Sequence, residues 1–115
     1  QLIAPTTSNK RMKEIIKISH EMIYMISMIS TTGSALKVTT KKIMKNYKII
    51  KKINPFKNVA IGFGITKKTI KALKKADGLV VGSAICKEIK NSISKRQNPV
   101  TNVTNMVIKL KNKIK

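Results

Sequence analysis

Apolar positions along the chain alternate between short unbroken runs and helical stripes. Leu2 to Ala4 is a short apolar run stopped by Pro5, after which Thr6, Thr7 and Ser8 offer N-caps for a helix over about Asn9 to Ser19. Met12, Ile15, Ile16 and Ile18 form one face of that helix, with Lys10, Lys13 and Lys17 outside. Met22 to Ile26 is a continuous apolar run of strand length, the kind that suits a strand covered on both faces in a parallel sheet. A polar stretch follows from Met28 to Thr40. It is longer than most strand-to-helix connections and predicts a functional loop. A second helix over about Thr40 to Lys52 carries Ile43, Met44, Tyr47 and Ile50 and ends before Asn54-Pro55. Val59 to Gly64 reads as a third strand ending in glycines, and a helix with Thr66 as its cap runs through Ile70 and Leu73 toward Ala76. Gly78 to Val81 is the fourth strand; it leads through Gly82-Ser83-Ala84 into a helix carrying Ile85, Ile89 and Ile93. Arg96 to Asn102, with Pro99, breaks the pattern, and a last basic helix is expected over Val103 to Ile114.

The order is strand then helix, four times over, plus a terminal helix. Repeated units of this kind build a parallel sheet with right-handed crossovers. Their lengths suit an α/β barrel, but a closed (β/α)8 TIM barrel takes roughly 250 residues, and this chain has 115. The expected architecture is therefore half of such a barrel, one partial domain over residues 1–115, with an open four-stranded sheet as the alternative. Gln1-Leu2-Ile3 starts inside an apolar run and lacks a signal-peptide pattern, which adds to the expectation of a fragment.

Charge changes the picture less than its size suggests. Lys and Arg number 25 against 4 Asp and Glu, for a formal charge of +21. Only Arg11 and Arg96 are arginines, although the planar guanidinium is what reads phosphate and guanine bidentately. Lysines are spread over every helix, and two Tyr and two Phe leave little for base stacking, so nucleic acid is not the expected partner. The excess of Ile, Lys and Asn is what an A+T-rich coding sequence produces. A hydrophobic fraction of 42% excludes a disordered basic tail, and no apolar run approaches the about 20 residues of a membrane span. Cys86 and His20 are each alone of their kind, so neither a disulfide nor a metal site is expected, and a reducing compartment is.

Candidate chemistry gathers at two glycine turns that end the last two strands, Gly62-Phe63-Gly64-Ile65 and Gly82-Ser83-Ala84. In α/β barrels such turns hold a phosphate through backbone N–H groups and a helix N-terminus, and glycine lets the backbone approach the anion. Glycines also serve tight turns with no ligand; two such turns on consecutive units favour the phosphate reading. Acid–base chemistry is hard to place. Glu14 lies on a helix face, Glu21 and Asp77 at strand entrances, Glu88 in a helix beside Lys87, and catalytic groups in barrels gather at strand exits. His20 reads as a surface turn residue and Cys86 as a small core residue. Ser83 has no partnering base. Tyr24, in mid-strand, faces either the barrel interior or the helices.

The strings Leu2-Ile3-Ala4-Pro5-Thr6-Thr7, Ile23-Tyr24-Met25-Ile26-Ser27, Thr32-Gly33, Gly62-Phe63-Gly64-Ile65 and Ala76-Asp77-Gly78-Leu79-Val80-Val81-Gly82-Ser83-Ala84-Ile85 resemble, in order and near spacing, the C-terminal half of the tryptophan synthase alpha chain family. That resemblance implies barrel strands five to eight and a lyase that splits indole-3-glycerol phosphate, by a retro-aldol reaction, into indole and glyceraldehyde 3-phosphate. It implies substrate phosphate on Phe63, Gly64, Gly82 and Ser83 with Gly33 reaching in, a pocket lined by Ile3 and Tyr24, and Thr32 steadying a catalytic aspartate on loop closure. No catalytic residue is expected in this segment, since the family's two essential carboxylates precede it, and the segment alone is expected to be inactive. No cofactor is expected on this chain; pyridoxal phosphate belongs to a beta chain partner in an assembly of two alpha and two beta chains. A location in the cytoplasm or plastid stroma follows from the same resemblance. The family's loop reads VTGVTG where this chain has Met28-Ile29-Ser30-Thr31-Thr32-Gly33, so Ser30 stands at a glycine position. Another phosphate-binding barrel enzyme and a Lys-rich nucleic-acid-binding module are the competing readings.

Overall fold

Ser8 caps the first helix by accepting the N–H of Arg11, and the residues it starts deliver Met12, Ile15 and Ile16 to one buried face. That helix, α1 (Asn9–Ile18), follows β1 (Leu2–Ile3) and precedes β2 (Met22–Ile26). The computed structural model describes residues 1–31, 34–37, 39–62, 65 and 67–115. Beyond β2 the chain forms β3 (Met28–Thr31), β4 (Ser34–Lys37), α2 (Thr40–Ile53), β5 (Asn58–Gly62), α3 (Ile70–Leu73), β6 (Gly78–Val80), α4 (Ser83–Ser94) and α5 (Pro99–Asn112).

Four strands form one parallel sheet in the order β1-β2-β5-β6. Its register sorts the side chains. Ile3 pairs with Met25, Ile23 with Val59 and Met25 with Ile61, all of them at most 1% exposed, on the face that Met12, Ile15, Ile16, Ile43, Ile50, Ile70, Leu73, Met106 and Leu110 cover from the helices. The opposite face carries Leu2, Tyr24, Ala60 and Gly78 in one row and Ile26, Gly62 and Val80 in the next. Helices lie against one face, and on the other Leu2 and Val80 are 60% and 42% exposed. The expected alternation of strands and helices is present; β2 alternates in burial, while β5 is buried from Val59 to Gly62.

Four expectations change. The stretch after β2 is an antiparallel hairpin, β3 against β4 with Met28 opposite Lys37 and Thr31 opposite Ser34, rather than an irregular loop; its strand residues satisfy their backbone groups on each other. Helix α3 is a single turn, because Thr69 at its start provides no side-chain cap and one turn gains few hydrogen bonds for the residues it orders. Pro99 starts a helix instead of breaking one. It occupies the first turn, where a missing N–H costs nothing, while Asn98 accepts from the N–H groups of Val100 and Thr101 at 2.9 and 3.2 Å. Arg96, at φ 54°, lets α4 close with Gln97 N–H on Ser92 O and Arg96 N–H on Ile93 O, and α5 folds back from there. Cys86 is exposed rather than in the core, because α4 turns Ser92, not Cys86, to its buried side.

At the entrance end of the sheet a polar cluster fastens three segments together. Asp77 Oδ2 accepts the Val59 N–H at 2.9 Å and pairs with Lys51 Nζ at 2.7 Å, while Tyr47 donates to Oδ1 at 3.4 Å. Lys51 also donates to the carbonyls of Pro55 and Lys57. Lys57 is buried and donates to the carbonyls of Ser19 and His20 at 2.5 and 2.7 Å, tying the start of β5 to the turn before β2. Burial and then Asp77 raise the Tyr47 phenol above its usual value of 10.0. Asp77→Ala strands the Val59 N–H and Lys51, and is expected to lower folding stability by about 2 kcal/mol in urea unfolding; Asp77→Asn, which keeps an acceptor, is expected to lower it less. A spectrophotometric titration is expected to show a phenol ionising above the usual tyrosine range, a feature that Tyr47→Phe removes. Since the folded state holds that proton more tightly, the contribution is complete below the unfolded pKa and is lost as pH rises through the folded one.

Candidate active site

Parallel strands bring their exits to one end, and here β5 and β6 lie side by side with Gly62 paired to Val80. The turn after β5 and Gly82-Ser83 after β6 therefore start from neighbouring positions. Gly82 caps α4 with φ −107° and ψ −72°, a conformation open to any residue, and a Cβ added there would meet nothing within 4 Å. Among the described residues no packing neighbour accounts for glycine at this position. Space lies over it at the start of a twelve-residue helix, whose first-turn N–H groups have no acceptors within the helix and whose dipole favours an anion. Ser83 is exposed at the first helical position, and the first turn holds no acidic residue.

Gly62 has the opposite character. A Cβ built on it would fall 1.7 Å from the Tyr24 hydroxyl oxygen and 2.3 Å from Tyr24 Cζ, so the phenol ring lies directly across the glycine. Tyr24 is half-buried on the face that the helices leave open, which resolves the two orientations left by the sequence. Ile3 is fully buried on the helix-covered face, paired with Met25. The sheet thus puts Ile3 and Tyr24 on opposite faces rather than along one wall, since neighbouring strand positions alternate.

Of the other candidate residues, Thr32, Gly33, Phe63 and Gly64 lie outside the described residues. The structure gathers Tyr24, Gly62, Gly82 and Ser83 at the exit end. It keeps the carboxylates away from it. Glu14 pairs with Arg11 at 3.0 Å on α1, Glu21 precedes β2, Asp77 precedes β6, and Glu88 lies within α4. His20 sits exposed in the turn before β2, as expected. Among the described residues no group of His, Cys, Asp or Glu could hold a metal ion, and no helix is long and apolar enough to cross a membrane. One residue at the exit end escaped the reading of the chain. Ser27, just past β2, is 4% exposed and donates from Oγ to the Gly62 carbonyl at 2.8 Å. Its only signal in the sequence is a serine directly after a buried apolar run.

Comparison with known proteins bears on the chain as a whole. The family model described as tryptophan synthase alpha chain matches residues 1–115. The tryptophan synthase alpha chain of Pelagibacter ubique (strain HTCC1062) is 68% identical over 114 residues, covering 99% of this chain and 43% of that protein. That of Aquifex aeolicus (strain VF5) is 38% identical over 86 residues, covering 73% of this chain and 32% of its own. The crystal structure of tryptophan synthase subunit alpha from Legionella pneumophila str. Paris superimposes with a TM-score of 0.74 over 98% of this chain and 40% of that one, at 23% identity, a likeness of fold. The chain spans about two-fifths of the length of the Pelagibacter relative, and its four parallel strands and their helices are part of a (β/α)8 barrel. By sequence and by fold, the chain belongs to the tryptophan synthase alpha chain family.

Proposed function

We propose that residues 1–115 form the phosphate-gripping part of a lyase that cleaves indole-3-glycerol phosphate into indole and glyceraldehyde 3-phosphate. The observation that carries this reading is the pair of adjacent strand exits: Gly82, with open space where a side chain would be, heads α4 beside the exit of β5. Backbone N–H groups at Phe63, Gly64, Gly82 and Ser83 would hold the phosphate, joined by Gly33 from beyond β2, and the α4 dipole adds to the attraction. Tyr24 would form one wall of the pocket for the indole ring, Ile3 supports the sheet behind it, and Thr32 steadies the closing segment.

The reaction itself requires proton transfers at the indole ring and at a glycerol hydroxyl. None of the four carboxylates of this chain is at the exit end, so the acid and the base are assigned to the family's units that precede these in sequence. The chain needs no cofactor in this scheme. Indole passes to a beta chain carrying pyridoxal phosphate, in an assembly of two chains of each kind, in the cytoplasm or plastid stroma.

To test this, residues 1–115 are joined to the N-terminal units of the Pelagibacter relative, and indole release from indole-3-glycerol phosphate is measured with and without a beta chain. Release that the beta chain stimulates is expected; a folded chimera that releases none overturns the reading. Two glycine substitutions should separate binding from folding. Gly82→Ala is expected to leave stability within about 0.5 kcal/mol while raising KM for the phosphate substrate by roughly tenfold, equivalent to about 1.4 kcal/mol. Gly62→Ala drives a Cβ into the Tyr24 ring and is expected to cost about 2 kcal/mol in unfolding, with a changed tyrosine near-ultraviolet circular dichroism.

A further inference from the structure

Gly62 is the last residue of β5, and what holds its carbonyl sets the peptide plane from which the proposed phosphate turn begins. That carbonyl accepts twice from one residue: the Ser27 backbone N–H at 3.0 Å and the Ser27 Oγ–H at 2.8 Å. The first bond continues the parallel ladder. The second is additional to it and is made by a side chain 4% exposed. On the open face of the sheet the Tyr24 ring lies across the same glycine, leaving no room for a Cβ. Gly62 is thus held at its carbonyl by Ser27 and over its Cα by Tyr24.

We propose that Ser27 is a positioning residue for phosphate binding, acting through the Gly62 carbonyl to fix the direction in which the backbone leaves β5. This rests on the proposed lyase function above. A carbonyl held by two donors resists rotation of its peptide plane, and backbone N–H groups that bind an anion depend on such orientation being set beforehand. Ser27 also heads the segment that leads into β3, so the same hydrogen bonds join the exits of β2 and β5, the two places from which phosphate contacts are expected. Without the hydroxyl, the Ser27 backbone N–H remains as the donor among the described residues, and the ladder of β2 with β5 does not depend on that side chain.

The test uses the chimera with the Pelagibacter N-terminal units and runs the reaction in the synthetic direction, where the phosphate arrives on one substrate and the ring on the other. Ser27→Ala is expected to raise KM for glyceraldehyde 3-phosphate roughly fivefold to tenfold, the range of one lost hydrogen bond of about 1 kcal/mol. KM for indole and the melting midpoint should stay close to their original values. Ser27→Cys, which keeps the volume and weakens the donor, is expected to show the same split and replaces the alanine variant should that one fail to fold. An unchanged KM for glyceraldehyde 3-phosphate, or equal rises for both substrates, overturns the positioning role. An unsubstituted chimera that folds and has no activity in either direction overturns the lyase reading instead, so the two failures are distinct.

Discussion

Met22–Ile26 lies parallel beside Asn58–Gly62 in a register that puts Ile23 with Val59 and Met25 with Ile61 on one face, and Tyr24 with Ala60 on the other. Strand side chains repeat every two residues, so a slip of one position would turn the fully buried Ile and Val residues outward and drive Tyr24 into the helices. Helices α1, α2 and α5 supply Met12, Ile15, Ile16, Ile43, Ile50, Met106 and Leu110 to the first face, and this burial pins the register. The position of Tyr24 across Gly62, the reach of Ser27 to the Gly62 carbonyl and the adjacency of the two glycine exits all follow from it.

The two ends of the sheet are built from different chemistry. At the entrance, charged side chains satisfy backbone groups: Asp77 receives the Val59 N–H, and Lys51 and Lys57 donate to carbonyls from two turns. Each of these side chains is held by more than one partner. At the exit, glycines and a helix N-terminus leave backbone groups near the surface. The division matches the general behaviour of parallel α/β barrels, in which one rim carries stability and the other carries chemistry. In the proposed function this chain of net charge +21 would hold its anion with backbone rather than lysine. Lysines flank the outer face of α2 at Lys41, Lys42, Lys45 and Lys48, away from the row of Leu2, Tyr24, Ala60 and Gly78.

Much of the fold was legible along the chain because burial acts locally on a helix or a strand. The buried stripe of α1, its Ser8 cap, the stop at Asn54-Pro55 and the order of the sheet strands required nothing beyond neighbouring residues. Errors fell where local signals compete. Pro99 reads as a break unless Asn98 is seen to cap the helix it starts, and Met28 to Lys37 reads as polar loop unless its two halves pair with each other. The glycines of the candidate site were visible as types in a pattern, but their roles were not. Gly62 meets a phenol ring from another strand, and Gly82 meets nothing among the described residues.

Sequence alone therefore determined the four parallel strands, most of the helices, their order and the resemblance to the family, since each depends on residues close in the chain or on short strings with fixed spacing. Tertiary structure alone decided the faces and the partners. Tyr24 on the open face, Ile3 on the covered one, Ser27 against a carbonyl 35 residues away and Asp77 against an N–H 18 residues away exist only once the strands are in register. The physical reason is that hydrogen bonding and steric contact act over a few ångströms, and only the parallel pairing of β1, β2, β5 and β6 brings such distant residues within that range.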